Sequence, residues 1–373
     1  MTSTQDTLRK RSRLTGRNRV YTPKIICPND SQDVQLLHSL LENEAMRVID
    51  TYEEQYHELL GILSPREVTG PECRNFLATE TEKHFHNHAS WKKGNWIYYP
   101  WKDTLVHVLS KEEYIRVRTS RNRHLISEKE QWMCAKLHIA IIGLSVGSSI
   151  AQTLVLEGIT RTLTLADGDT LALSNLNRIL AGITDFSVPK THITAQRLSE
   201  IDPYLTISTF SELTEENSDS ILGSADVIID EIDNISMKYH IRRVAKERKI
   251  PVIMATDNGE QGIIDVERYD QDAPPLPFNG YLPALPEEQL RSLSKAEIGK
   301  LIIDFIGTKY VSQRMLDSFI DIGQRLTTWP QLGGTAFLNA SMVSHAIRRI
   351  AIGAPLPSGR ALVARDEIFG EKI

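Results

Sequence analysis

Cysteine is scarce in this chain. Cys27, Cys73 and Cys134 form no CxxC pair, and no cysteine lies beyond position 134 in a sequence of 373 residues. That usage argues against a disulfide framework or a cysteine zinc site, and it points to a reducing, cytoplasmic setting. Long apolar runs are missing as well. The nearest, "LHIAIIGLSVGSSIAQTLVL" at 137–156, is broken by Gly143, Gly147, Gln152 and several serines, so it reads as strand, loop and helix rather than a membrane span. Positive charge is not in excess: 43 Lys and Arg against 48 Asp and Glu leave a net charge of −5. Without a global basic footprint the chain is not expected to bind nucleic acid, and any polyanion must be held by a local cluster. The basic concentration at Arg9, Lys10, Arg11, Arg13, Arg17 and Arg19 has no apolar core, so residues 1–20 read as a disordered arm rather than a secretory signal. With 41% hydrophobic and 24% charged residues, the remainder is ordinary globular composition, long enough for two or three compact units.

Residues 31–63 have mostly helical apolar spacing, ended by Ser64-Pro65. "NWIYYPWKDTLVHVL" at 95–109 predicts two short strands around a proline-containing turn. Residues 21–115 are therefore expected to form a small α+β domain, in which Trp96, Tyr98, Tyr99 and Trp101 serve as a local core or, less simply, a recognition surface. From 137 the rhythm becomes strand, helix, strand, helix, continuing through "TLTLAD", "PKTHITAQRLSEIDP", "LTISTF", "ADVIID", "ISMKYHIRRVAKERKI" and "PVIMAT". This alternation specifies an α/β fold, a Rossmann-like, doubly wound, mainly parallel sheet whose ligands bind beyond the carboxyl ends of the strands. Residues 270–330, opening on "DAPPLPFNGYLPALP", read as an excursion from the sheet with two helices, a lid or substrate-facing segment. "GGTAFLNASMVSHAIRRIAIG" is a long amphipathic helix and "RALVARD" a last strand.

The candidate chemistry sits at the strand ends. "GLSVGSS" places Gly143, Ser145, Gly147 and Ser148 between the first strand and helix, a weak form of the glycine loop that lets backbone approach phosphate. Asp167 ends the second strand where an acid grips ribose hydroxyls, which suits ATP and NAD equally. "SNLNR" then supplies Asn175, Asn177 and Arg178, and "DFSVPK" supplies Lys190; two cations above one sheet edge suit a triphosphate, whose charge must be neutralised in a partly dry cleft. In "ADVIIDEIDN", Asp226, Asp230 and Asp233 recur along an apolar strand. Asp233-Asn234 is placed either to cap the next helix or to ligate magnesium, and beside the two cations the magnesium role is the better reading.

Glycine loop, strand-end Asp, "SNLNR", "DFSVPK" and "DEIDN" follow one another in an order and approximate spacing that resembles the ThiF/MoeB/HesA group of ATP-dependent activating enzymes, which includes the ubiquitin-activating fold. The resemblance covers roughly residues 118–268 and resumes in "PQLGGTAFLNASMVSHAIRRIAIG" and the last strand. It implies that residues 116–373 form an ATP-binding activating domain, with ATP and Mg2+ as cofactors. It implies attack of a carboxylate on the α-phosphorus to give an acyl adenylate. By the same resemblance Gly143, Ser145, Gly147, Asp167, Asn175 and Asn234 hold the nucleotide, while Arg178 and Lys190 hold its phosphates and Asp233 the metal. "RTSRNRHLIS" resembles the family's N-terminal arginine segment, which reaches into the neighbouring subunit's site; that implies a homodimer with Arg123 acting in trans.

The chain departs from the family at Ser145 and Ser187, which stand at glycine positions, and it lacks both zinc CxxC pairs and a second-half cysteine. A thioester relay is therefore not expected, and the nucleophile has to come from the substrate or a partner. One expectation is tailoring of a ribosomal peptide in antibiotic biosynthesis, with residues 21–115 as a peptide clamp. The alternative is activation of a small sulfur-carrier protein, as in molybdopterin or thiamine synthesis. From other classes, an NAD-dependent oxidoreductase would have no use for Arg178, Lys190 and Asp233 together, and a non-catalytic scaffold would bind ATP without pyrophosphate exchange.

Overall fold

A computed structural model describes residues 20–86, 89–283, 285–307 and 310–365. The basic arm read at 1–20 lies, but for Val20, outside the described residues. Two compact units result: one runs to Ser127 and takes in Asp202–Tyr204, and the other comprises Glu128–Ile201 and the chain from Leu205 onward.

In the first unit β1 (Lys24–Ile26), β2 (Arg47–Asp50), β3 (Asn95–Tyr99) and β4 (Thr104–Val108) form a sheet in the order β1-β3-β4-β2. The mostly helical apolar spacing of 31–63 is interrupted by a strand. Helix α1 (Ser31–Leu41), its first turn capped by the Asp30 carboxylate, is separated by β2 from α2 (Tyr52–Leu63). Val48 and Ile49, both β-branched, leave the helical pattern because β4 offers a parallel edge, pairing Val48 with Leu105 and Ile49 with Val106. The β3–β4 hairpin is as expected. Its aromatics belong to the core: Trp96 and Tyr99 are buried, and the fully buried His107 ring stacks on Trp96 and Tyr52.

In the second unit seven strands run in the order β11-β10-β9-β8-β5-β6-β7. The strands β5 (His138–Ile142), β6 (Thr162–Ala166), β7 (Thr206–Phe210), β8 (Val227–Asp230) and β9 (Val252–Asn258) are parallel. β10 (Gln261–Glu267) and β11 (Gly359–Ala364) add antiparallel strands beyond β9. Strand order reverses between β5 and β8, so the loops leaving those two strands diverge to opposite faces and open a crevice. Around it stand the helices Val146–Leu156, Lys190–Ile201, Ile235–Arg248 and Gly333–Ala351. The sheet centre is wholly aliphatic, with Ile139, Ala140, Ile141, Val227, Ile228 and Ile229 fully buried, as a sheet covered on both faces requires.

Among its described residues the excursion at 270–330 holds three α-helices, Glu287–Ser292, Lys295–Ile306 and Gln313–Asp321, rather than two. Phe278, Phe305 and Met315 bury themselves with Ile235, Met254 and Ile263, so the segment carries its own share of core. Among the described residues no helix is long and apolar enough to cross a membrane.

Candidate functional site

The chain turns sharply where β5 ends. Gly143 has φ +92°, and a Cβ there would lie 2.3 Å from the Glu231 carbonyl oxygen, so only glycine lets the loops after β5 and β8 approach this closely. Gly147 is also required: its Cβ would meet Ile141 at 2.9 Å. The helix Val146–Leu156 starts here and presents its N-terminal backbone amides to the crevice, the positive end of its dipole.

Asp167, one residue beyond β6, is held against this loop. Its Oδ2 accepts from the Leu144 N–H at 2.6 Å, and its Oδ1 accepts from the Asp169 N–H at 2.8 Å. Lys190 opens the next helix with its side chain buried, 2.8 Å from Asp169 and 3.7 Å from Asp167. Burial pushes the Asp167 carboxyl up, and Lys190 and the two N–H groups pull against that rise. Lys190 is thus committed to two carboxylates, so any phosphate it meets must compete with Asp169.

Arg178 is also held against the loop. Its Nε donates to Ser145 Oγ at 2.8 Å and its Nη1 to Asn177 Oδ1 at 2.8 Å, while Asn177 Nδ2 donates to the Gln331 carbonyl. The start of the helix Gly333–Ala351 presses on the same turn, since a Cβ on Gly333 would be 2.5 Å from the Asn177 carbonyl oxygen. Partial burial lowers the Arg178 pKa, and the charges of Asp257 and Asp233 oppose this.

Two of the three acids along β8 are not at this rim, which corrects the expectation that all the polar clusters fall there. Asp226 precedes β8 and accepts from the His138 N–H at the amino end of β5. Asp230 is fully buried and paired with Arg242 and Lys238. Only Asp233 reaches the crevice; it is exposed and makes no hydrogen bond or ion pair among the described residues. Asn234 caps the helix Ile235–Arg248, accepting from the Met237 N–H at 3.2 Å. Asn175 likewise has a local role, its Oδ1 accepting from the Ala172 N–H at 3.0 Å. Arg123 belongs to the first unit, where it follows the single turn Ser120–Asn122. Among the described residues no group of three or more His, Cys, Asp or Glu is disposed to enclose a metal.

Sequence reasoning missed Glu231 and Asp257. Glu231 follows β8, its Oε1 accepting from the Ala255 N–H at 2.8 Å, and burial pushes its carboxyl well above the usual range. Asp257 lies near the end of β9, 5% exposed, and accepts from Asn339 Nδ2 at 2.7 Å. Burial raises its pKa to about 6, against the Asn339 hydrogen bond and the Arg178 charge. The signal for Glu231 was a carboxylate just past an apolar parallel strand, as for Asp167, and for Asp257 a carboxylate in the last residues of one.

Residues 119–269 match the ThiF family. An uncharacterized protein of Mycobacterium tuberculosis is 35% identical over 91% of this chain and 45% of its own length. The molybdopterin-synthase adenylyltransferase of Haemophilus influenzae is 29% identical over 44% of this chain and 69% of its own length. The tRNA threonylcarbamoyladenosine dehydratase of Escherichia coli is 27% identical over 67% of this chain and 96% of its own length. The chain therefore spans less than half the length of the mycobacterial relative.

Proposed function

We propose, on the match of residues 119–269 to the ThiF family, that the chain uses ATP to activate a carboxylate of a peptide or small protein as its acyl adenylate. The observation that carries this reading is Arg178, anchored on Ser145 at the first turn of the loop helix and facing the charge of the unpaired Asp233 across the switch point. A cation, a helix N-terminus and a free carboxylate around one crevice suit a metal-bound polyphosphate.

In this reading Asp167 holds the ribose, Asn175 and Asn234 line the nucleotide, and Gly143, Ser145 and Gly147 allow the phosphates close to backbone. Arg178 and Lys190 balance phosphate charge, and Arg123 of a second copy completes the set in a homodimer. Asp233 fits Mg2+, which commonly takes one or two protein carboxylates and fills its remaining positions with water and phosphate oxygens. When bound, the ion would draw charge from the departing pyrophosphate. The attacking carboxylate is already ionised at neutral pH, so this step needs no general base and depends on positioning and charge stabilisation.

For the acyl group we favour a ribosomal peptide under tailoring in the cytoplasm, with the first unit as its clamp. A small carrier protein is the alternative, motivated by the molybdopterin-synthase adenylyltransferase among the relatives. The test is incubation with ATP, Mg2+, synthetic peptides and purified carrier proteins, scored for pyrophosphate, AMP and ADP and for mass changes on the substrate. Pyrophosphate and AMP support adenylation; ADP replaces it with phosphorylation. ATP binding without turnover on any carboxylate would reduce the domain to a scaffold.

A further inference from the structure

We propose that Asp257 is the base that takes the proton from a nitrogen nucleophile attacking the activated acyl group. The inference rests on the carboxylate activation proposed above. Asp257 is buried, and only one of its oxygens is engaged: Oδ1 accepts from Asn339, whereas Oδ2 has no hydrogen-bond partner among the described residues. A buried carboxylate oxygen left without a donor costs free energy, which is recovered when a ligand supplies an N–H. The pair is rigid. Asn339 is fully buried on the helix Gly333–Ala351, and a Cβ on Gly262 would lie 2.6 Å from its Oδ1.

Its neighbours place Asp257 in the crevice. Arg178, from the loop after β6, and Glu231, after β8, are the charged groups whose fields couple to it, and Asn339 faces it from the helix above. The other carboxylates of the crevice are placed differently. Asp167 accepts with both oxygens, Glu231 holds the Ala255 N–H, and Asp233 stands exposed at the metal position. No thiol of this unit competes as acceptor of the acyl group, because Cys134 is buried and its pKa is pushed up to about 11.

The step balances. The nitrogen lone pair forms the C–N bond, the bond from the acyl carbon to the phosphate oxygen breaks, and its electrons leave with AMP. The N–H proton passes to Asp257 Oδ2 and returns to water once the product departs. A carboxylate raised to about 6 is still ionised at neutral pH and is a better proton acceptor than an exposed one.

The test uses the full chain with ATP, Mg2+ and a pool of synthetic peptides covering all C-terminal residues. Pyrophosphate exchange is read beside amide formation with added glycinamide and hydroxamate formation with hydroxylamine, a nucleophile that needs little base assistance. Asp257→Asn keeps the side-chain shape and an oxygen for Asn339. The expected result is unchanged exchange and hydroxamate yield, glycinamide transfer at least about 100-fold slower, and loss of the limb near pH 6 in its rate profile. Glycinamide transfer within twofold of wild type overturns the assignment and leaves adenylation standing. So does a parallel loss of exchange, which would make Asp257 a nucleotide-binding residue, and so does a wild type that exchanges pyrophosphate yet never forms the amide. A wild type without exchange on any peptide instead refutes the activation reading, and this inference with it.

Discussion

Arg178 Nε donates to Ser145 Oγ at 2.8 Å, tying the arginine of one loop to the residue that begins the glycine-loop helix. The Ser145 hydroxyl is what aims the guanidinium. Ser145→Ala removes the acceptor and leaves the backbone unchanged. Net hydrogen bonds of this kind contribute about 1 kcal/mol to stability, so Ser145→Ala should lose about that much in urea unfolding, and ATP affinity in isothermal titration should fall because the guanidinium is no longer held in place. Arg178→Ala should abolish ATP turnover. Full turnover in the second variant would remove Arg178 from the phosphate site.

Adjacent residues after β8 divide two roles that the sequence left joined. Asp233 is exposed and makes no ion pair among the described residues, so Asp233→Ala should leave the melting temperature unchanged while lowering Mg2+-dependent ATP turnover by on the order of 100-fold. Asn234 caps the following helix, and Asn234→Ala should cost about 1 kcal/mol of stability. Paired melting and turnover measurements check both; a destabilised Asp233→Ala would return that residue to a structural role.

The sheet was legible because its parallel strands are short apolar runs separated by amphipathic helices, a pattern fixed by burial on both faces. Asp167 and Asp233 were legible for a related reason, being polar residues just past those runs, whereas Arg178 and Lys190 stood out as cations in the loop segments that follow β6. What spacing could not reveal was partner choice across the fold. Asp230 resembles Asp233 in sequence but faces Arg242 in the core, and Val48-Ile49 become a strand only because β4 lies beside them. Asp257 escaped notice because Asn339, which identifies its environment, lies 82 residues away.

Arg242 is a fully buried cation between Asp230 and Glu267, with the Glu267 carboxylate at 2.8 Å and the Phe278 ring against its guanidinium. This group links β8, β10 and the excursion at 270–330. Arg242→Met fills the space but leaves two buried carboxylates with Lys238 as their remaining cation, reaching Asp230 alone. Breaking such a pair costs about 3–5 kcal/mol. The expected outcome is a large fall in urea midpoint, and a midpoint close to wild type would show that water or neighbouring dipoles compensate Glu267.

Asp257 also gives folding a pH dependence of unusual sign. Burial raises its pKa in the folded state from 3.8 to about 6, so the folded chain holds this proton more tightly than the unfolded chain. The group therefore favours folding below about pH 4, and that contribution is lost as pH rises to about 6. Above pH 6 its ionised form costs the fold a constant amount, on the order of 3 kcal/mol for a shift of roughly two units. Asp257→Asn carries no titrating proton and escapes that cost. Urea denaturation of both proteins without nucleotide from pH 4 to 7 should show the variant's advantage growing through this window and then levelling. A difference that stays flat would mean that Asp257 ionises in the fold as it does in the unfolded chain.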